Sequence, residues 1–293
     1  MKYAYYPGCS AKSTCNELDV STQAVAEKLG LELVELEVAA CTGAREVRDK
    51  DPELFYTLNA RTLALAEKLG LDLVTVCATC QLNLAEVNHK LKNDEALREK
   101  INRNLAGENL RYEGKVAVKH FLWILSTDVG FEKLKSLVKR PLTGLKVAPF
   151  YGCHILRPAK ILGFDDPDNP TSLENVFRIL GAEPVEYRGK SRCCGFHVLL
   201  SQEEIALKMS GRHLGEAKQK EADCLVTTCP LCHTALDPYQ ESIEKVTNQQ
   251  LQMPILHLAQ LLGLAFGMEP DELKLSSHVV SVQPVLDKIL QPA

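Results

Sequence analysis

The sequence predicts an α/β protein of two duplicated Rossmann-like halves, with mostly parallel sheets and cysteine clusters at the C-terminal ends of strands. Short apolar strands alternate with helices along the chain, which is the pattern of parallel α/β sheets. The cysteines recur at a constant spacing, which indicates an internal duplication. Several cysteines directly follow predicted strands, where the loops of a parallel sheet form its binding crevice.

Composition and charge limit the class of protein. The 293 residues are 45% hydrophobic and 25% charged, as in an ordinary globular protein. The net charge of −4 gives no broad basic surface, so no nucleic-acid partner is expected. The N-terminal segment lacks the apolar core of a signal peptide, and no apolar run reaches the about 20 residues that cross a bilayer. We therefore expect a cytoplasmic protein without a transmembrane span.

Eleven cysteines are the most informative feature of the sequence. Disulfide frameworks belong mainly to small secreted proteins, so this many cysteines in a long chain without a secretion signal indicates metal ligands or redox chemistry. Nine of them form two sets with one pattern. The first set is Cys9, Cys41, Cys77 and Cys80, and the second set is Cys153, Cys193, Cys194, Cys229 and Cys232.

The two sets share one register. The last three motif positions of the second set each follow those of the first by 152 residues, as Cys229 follows Cys77. Cys153 follows Cys9 by only 144 residues, so the second half carries additional residues, which we place in the turn-rich stretch 163–170. A shared spacing over three elements predicts a duplication.

The register also predicts the domain organisation. An N-terminal domain is expected over residues 1–140 and a C-terminal domain over residues 141–293, while the segment 254–267 matches no part of the first half. Cys15 and Cys224 have no cysteine counterpart in the other half. We expect both to be buried, inert thiols, although Cys15 stays open as a ligand because it lies close in sequence to Cys9.

Strand and helix signals place the remaining cysteines. Strands are predicted at residues 3–6, 31–38, 71–76, 145–151 and 224–228. Helices are predicted at residues 21–29, 52–69, 91–105, 172–180 and 202–222, and residues 111–129 are expected to form a strand and a helix. The second helix has a leucine stripe of Leu54, Leu58, Leu65 and Leu69. Loops after these strands bring each cysteine set to one point.

The number of thiols separates the two sites. Zinc needs four ligands, and Cys-x2-Cys pairs serve zinc, iron–sulfur clusters and redox dithiols alike. The four cysteines of the first set suit either zinc or a cubane [4Fe–4S] cluster. The second set has five, and the adjacent Cys193 and Cys194 chelate one small ion poorly, which favours an iron–sulfur cluster. A disulfide between these two would leave the other three cysteines unexplained.

At these residues the chain resembles the CCG-domain family, and within it the B-type subunit of heterodisulfide reductases. The resemblance extends over essentially the full length. It includes Tyr-Gly-Cys-His at 151–154, Cys-Pro-Leu-Cys-His at 229–233 and the segment 256–264. Thr42 replaces the second adjacent cysteine of the first motif, so the N-terminal domain is a degenerate CTG copy.

The resemblance implies a chemistry and a set of partners. Its C-terminal motif implies a non-cubane [4Fe–4S] cluster on the five cysteines of the second set, where a disulfide is split and each sulfur binds iron. The N-terminal site would hold a [4Fe–4S] cluster or zinc. Electrons would come from a flavin-containing subunit through a ferredoxin-like subunit of the same complex. His154 is the candidate catalytic residue, as a proton donor or substrate contact.

Two interpretations within the family stay open. The loop 195–200 departs from the methanogen pattern, so a lipoate-bound sulfur substrate, as in heterodisulfide reductase-like relatives from sulfur oxidisers, stands beside other thiols and disulfides. The alternative is the E-type electron-transfer subunit of an unusual succinate or fumarate:quinone reductase.

We expect His233 to hydrogen-bond a cluster sulfur, and His197 to be a weaker candidate for proton transfer than His154. The histidines predicted to be structural or exposed are His89, His120, His213, His257 and His278.

Overall fold

The structure, a computed structural model, describes residues 1–290 and has two four-stranded sheets in which every paired neighbour is parallel. The strands of the first sheet are β1 (Lys2–Tyr6), β2 (Glu32–Glu35), β3 (Leu73–Thr75) and β4 (Val118–His120). Those of the second are β5 (Lys146–Phe150), β6 (Glu183–Pro184), β7 (Cys224–Thr227) and β8 (Ile255–His257). The orders β2-β1-β3-β4 and β6-β5-β7-β8 are equivalent, which confirms the duplicated α/β architecture.

Helices connect the strands in both halves. The first half contains α1 (Asn16–Leu29), α2 (Glu46–Lys50), α3 (Pro52–Leu69), α4 (Ala78–Asn93), α5 (Glu95–Leu105), α6 (Phe121–Ile124), a π-helix (Leu125–Val129) and α7 (Phe131–Leu137). The second contains α8 (Ala159–Leu162), α9 (Ser172–Ile179), α10 (Glu203–Gln219), α11 (Pro230–Leu236), α12 (Gln240–Thr247), α13 (Leu258–Ala265) and α14 (Gln283–Leu290). Short 3₁₀-helices are Ala106–Glu108, Arg188–Ser191, Phe196–Val198 and Leu275–Ser277. None of the helices within residues 1–290 combines the length and apolar character needed to cross a membrane.

Local signals explain where α3 begins and ends. The Asp51 carboxylate accepts a hydrogen bond from the backbone N–H of Leu54 at 2.9 Å, and Pro52 occupies the first turn. Gly70 ends the helix in the left-handed conformation, with a φ of 68°. The leucine stripe was a poor guide to burial, because Leu54 is 45% exposed while Leu63 is fully buried.

One prediction about the duplication is wrong. The segment 254–267 has a counterpart, because β8 pairs with β7 as β4 pairs with β3, and α13 follows β8 as α6 follows β4. His120 and His257 therefore occupy equivalent strand ends. They lie 137 residues apart rather than 152, because the connection after the last motif cysteine is shorter in the second half.

The two halves pack so that their cysteine-bearing strand ends face each other. Cys77 follows β3 and Cys229 follows β7, and their sulfur atoms lie 4.0 Å apart across the junction. Nearby, α1 of the first half packs against α13 of the second. The fold thus places both cysteine sets at one internal boundary of the molecule.

Candidate metal centres

The five cysteines of the second set line one cavity. Cys153 follows β5, and the adjacent Cys193 and Cys194 follow the 3₁₀-helix Arg188–Ser191. Cys229 is the N-cap of α11, and Cys232 lies in its first turn. All five are free thiols, and Cys194, Cys229 and Cys232 are at most 6% exposed.

The sulfurs of this set interact strongly with one another. Hydrogen bonds from the Cys153 and Cys194 thiols lower the pKa of Cys193 to about 2. The same hydrogen bond raises the pKa of Cys153 above the usual range of a thiol. The backbone N–H of Gly195 also donates to the Cys193 sulfur at 3.4 Å. The site therefore favours a thiolate, the form of cysteine that binds metals.

A glycine before the first cysteine of each set makes room for the last cysteine. Gly152 has a φ of +69°, and a Cβ atom there would lie 2.9 Å from the Cys232 sulfur. Gly8 has a φ of +83°, and its Cβ would lie 3.2 Å from the Cys80 sulfur. Both positions thus require glycine for backbone conformation and for space.

The four cysteines of the first set line a neighbouring cavity of about 210 Å³. The sulfurs of Cys9 and Cys41 lie 3.6 Å apart, and both residues are exposed. Cys77 is the N-cap of α4, and its sulfur accepts a hydrogen bond from the backbone N–H of Cys80 at 3.5 Å. This set is more open to solvent than the second.

Thr42 occupies the position equivalent to Cys194. It is 1% exposed, and its hydroxyl donates to the Cys80 sulfur at 3.8 Å. The same hydroxyl accepts a hydrogen bond from the Asn83 side chain at 3.2 Å. A bonded hydroxyl thus stands where the second half has a fifth thiol.

The two cavities share a wall. Thr79, Phe196 and Leu231 line both of them. The Thr79 hydroxyl and His154 Nδ1 form a hydrogen bond of 2.9 Å between the two halves. Burial lowers the pKa of His154, whose ring lies 5.2 Å from that of His197. His154 is therefore a largely buried, neutral imidazole on the wall between the cysteine sets.

The contacts of His233 differ from those predicted. Its Nε2 pairs with His278 Nδ1 at 2.9 Å, and it makes no hydrogen bond to a cysteine sulfur among residues 1–290. Its ring also stacks on His257, with centroids 4.3 Å apart, and His257 Nε2 lies 3.1 Å from Glu17. Sequence reasoning missed this buried cluster because its members come from distant segments without a local motif.

The two cysteines outside the sets are buried. Cys15 lies 3.5 Å from Thr234 of the other half, and burial raises the pKa of its thiol to about 11. Cys224 is fully buried within β7. Cys15 and Glu17 come close to His233 and His257, which makes four potential metal ligands, all of them buried.

The donor set of the second site fits an iron–sulfur cluster. Soft thiolates select iron–sulfur clusters, zinc and Cu(I), and the thiols here are free rather than paired in disulfides. Five sulfurs exceed the four that a tetrahedral zinc takes, whereas a cluster has several metal atoms to share them. Adjacent cysteines can then contact different metal atoms.

Comparisons with known proteins agree with this interpretation. Residues 3–85 and 147–237 match the CCG family, described as a cysteine-rich domain. The chain is 43% identical to the 8-methylmenaquinol:fumarate reductase membrane anchor subunit of Wolinella succinogenes, over 95% of this chain and 97% of that protein. It is 32% identical to the B-type subunit of the ferredoxin/F(420)H(2)-dependent CoB-CoM heterodisulfide reductase of Methanosarcina acetivorans, over 99% of this chain and 97% of that protein.

Two further likenesses concern the same family and the fold. A protein of Archaeoglobus profundus that is similar to the heterodisulfide reductase B-type subunit is 34% identical, over 93% of both chains. A crystal structure of a hypothetical protein from Helicobacter pylori matches with a TM-score of 0.78 and 18% identity, over 96% of this chain and 52% of that one, which shows the fold alone. Because the cysteine-rich domain matches both halves and the relatives extend over nearly the whole chain, the protein belongs to the CCG family.

Proposed function

We propose that this chain is the iron–sulfur subunit of a heterodisulfide reductase-like oxidoreductase complex. A non-cubane [4Fe–4S] cluster would be held in the second half by Cys153, Cys193, Cys194, Cys229 and Cys232. The observation that carries the proposal is the convergence of five free thiols, two of them adjacent, on one cavity. When bound, such a cluster supplies iron atoms that bind sulfur and exchange electrons.

The first half is proposed to hold a second centre. A [4Fe–4S] cluster or zinc would be bound there by Cys9, Cys41, Cys77 and Cys80. The hydrogen bond that Thr42 donates would lower the electron density on the Cys80 sulfur. Because position 42 is a threonine rather than a cysteine, the site has four thiols. The 4.0 Å distance between the sulfurs of Cys77 and Cys229 supports direct communication between the two centres.

The remaining residues of the site would position the substrate. A thiol, a disulfide or a lipoate-bound sulfur would reach the second set along the wall formed by Phe196 and Leu231. His154, held by Thr79 of the other half, would contact the substrate or, after taking up a proton, give it to the sulfur that leaves. We propose His154→Gln as a test of the proton-donor role, since glutamine keeps a polar side chain but cannot serve as the acid.

Family membership supports a proposal about partners. The heterodisulfide reductase relatives are themselves parts of larger complexes, so we propose a ferredoxin-like subunit, together with a flavin-containing subunit, as partners. We also propose a cytoplasmic location. The domain boundary is proposed between residues 140 and 141.

Anaerobic iron, zinc and acid-labile sulfide analysis tests the central proposal. We expect about four iron and four sulfide from the second site, with any first-site metal in addition. Replacing both Cys229 and Cys232 by serine should remove the second-site iron, and Cys224→Ser, in a cysteine outside both sets, is the matched control. A protein that carries zinc alone at both sites would refute the proposal.

A second candidate function is favoured by one observation. The 43% identity to the fumarate reductase protein of Wolinella succinogenes exceeds the 32% and 34% identities to the heterodisulfide reductase relatives. The chain would then be the E-type electron-transfer subunit of a succinate or fumarate:quinone reductase. The purified complex decides between them: co-purification of a succinate-oxidising flavoprotein and electron transfer with a menaquinone analogue support this candidate, and reduction of disulfide or lipoamide substrates supports the first.

A further inference from the structure

A second opening reaches one cysteine of the second set, Cys193, and all of its lining residues belong to the second half. It is a cleft of about 650 Å³, and three arginines line it: Arg188, Arg192 and Arg212. Glu216 is the one carboxylate among the residues described along its walls. The cleft therefore has an excess of positive charge, although the chain as a whole has a net charge of −4.

Two of these arginines have unused donors. Arg188 and Arg192 are exposed, and neither forms an ion pair or side-chain hydrogen bond with any residue in the range 1–290. Arg212 pairs with Glu216, with 3.1 Å between Nε and Oε1. An arginine can grip a carboxylate with two parallel hydrogen bonds, so the free guanidinium groups suit a surface that presents carboxylates.

The cleft is connected to the proposed cluster site through one residue. Cys193 lines both the cleft and the cavity that the five cysteines share. Helix α10 fixes this segment, because His213 Nε2 bonds to the Cys193 carbonyl at 2.9 Å and the Ser210 hydroxyl donates to the Cys194 carbonyl at 2.8 Å. A molecule seated in the cleft would thus approach the second set at Cys193.

The opening beside the first set has a different character. The cavity next to the first set is lined by Pro7, Phe196, Pro230 and Leu231 in addition to cysteines, and no charged side chain lines it among the described residues. That apolar side suits the substrate, whereas the cationic side suits a charged macromolecule. The two openings therefore differ in charge, with arginines along one and apolar side chains along the other.

We propose that the cleft lined by Arg188, Arg192 and Arg212 docks the acidic surface of the redox protein that exchanges electrons with the second cysteine set. This inference rests on the proposed function. In each exchange one electron leaves the reduced centre of the partner and is taken up at the second site, and no covalent bond is made or broken. Charge complementarity of this kind orients the partner and speeds its association.

Binding of a small acidic bacterial ferredoxin to the anaerobically purified, metal-loaded protein tests the proposal. We expect an affinity that weakens as salt is raised from 20 to 200 mM, on the order of tenfold. Arg188→Glu and Arg192→Glu should each weaken binding at low salt by roughly tenfold. Arg103→Glu, which reverses an exposed arginine on α5 of the other half, should leave the Kd unchanged.

Two further measurements keep the outcomes distinct. Iron content and the electron paramagnetic resonance spectrum are recorded for each variant, since their loss would indicate failure of the cluster assignment rather than of the docking surface. Vesicles of anionic phospholipid serve as the competing probe. Unchanged ferredoxin affinity in both cleft variants, equal loss in Arg103→Glu, or loss of vesicle binding in place of ferredoxin binding would overturn the proposal.

Discussion

A buried ion pair beside the second cysteine set provides a quantitative test of the structure. The ammonium group of Lys190 lies 2.6 Å from the Glu174 carboxylate, and their side chains are only 7% and 4% exposed. Glu174 also accepts a hydrogen bond from Tyr151, and Lys190 has a second carboxylate, that of the exposed Glu186, at 3.0 Å. Burial acts to lower the pKa of Lys190, but the two carboxylates outweigh it and raise that pKa.

Replacing Glu174 with glutamine should therefore be costly. It leaves the Lys190 charge buried with only the exposed Glu186 as its partner, and breaking a buried pair in this way costs about 3–5 kcal/mol. Because Glu186 remains, we expect about 3 kcal/mol, the lower end of that range. Adding Lys190→Met to the variant should recover part of the loss, since no uncompensated charge then remains.

Urea unfolding of the metal-loaded protein under anaerobic conditions measures this free energy. The control is Glu241→Gln, because Glu241 pairs with Lys245 on α12 where the two side chains are 82% and 71% exposed. That variant should leave the free energy of unfolding nearly unchanged, because solvent screens an exposed pair. If Glu174→Gln lowers the free energy of unfolding no more than the control does, the buried pair does not stabilise the fold in the way that its burial implies.

Three other outcomes follow from the structure. Cys194→Ser should change the electron paramagnetic resonance spectrum of the second site, whereas Cys224→Ser should not, and an unchanged Cys194→Ser spectrum would mean that this thiol is not a ligand. Gly152→Ala should lower iron content because its Cβ meets the Cys232 sulfur, whereas Gly30→Ala, with a similar φ of +72° but open space, should cost only backbone strain. Burial lowers the pKa of three histidines to about 4, 3 and 4: His120, His257 and His278. The unfolded chain takes up these protons below about pH 6.5, so the urea midpoint should fall as pH drops from 6.5 towards 4; a flat midpoint would contradict their burial as neutral groups.

The duplicated fold was predictable because its signals are local or periodic. The register of the cysteines located two equivalent halves, and capping residues such as Asp51 and Gly70 located the helix ends. The order of strands within a sheet depends on packing between distant segments, which the sequence does not display. For the same reason the equivalence of β4 and β8 was missed, since only the histidine at each strand end is an evident common feature.

The grouping of the cysteines was likewise predictable, but the surroundings of each candidate site were not. Spacing alone assigned nine cysteines to two sets, and the structure brings each set to one cavity. The hydrogen bond between Thr79 and His154 joins residues 75 positions apart. The cleft lined by Arg188, Arg192 and Arg212 depends on how α10 packs. The prediction for His233 was wrong because its ring meets His278, which no motif connects to it.

One side chain accounts for the difference in thiol number between the two cysteine sets. Both halves keep the glycine that accommodates the last cysteine, and both place a cysteine at the N-cap of the helix that follows the third strand of the sheet. Thr42 departs from the cysteine pattern that the two halves share, and its hydroxyl forms hydrogen bonds with both Cys80 and Asn83. Since the two halves share this framework, threonine at position 42 leaves the first set with four thiols without altering the fold that holds it next to the second set.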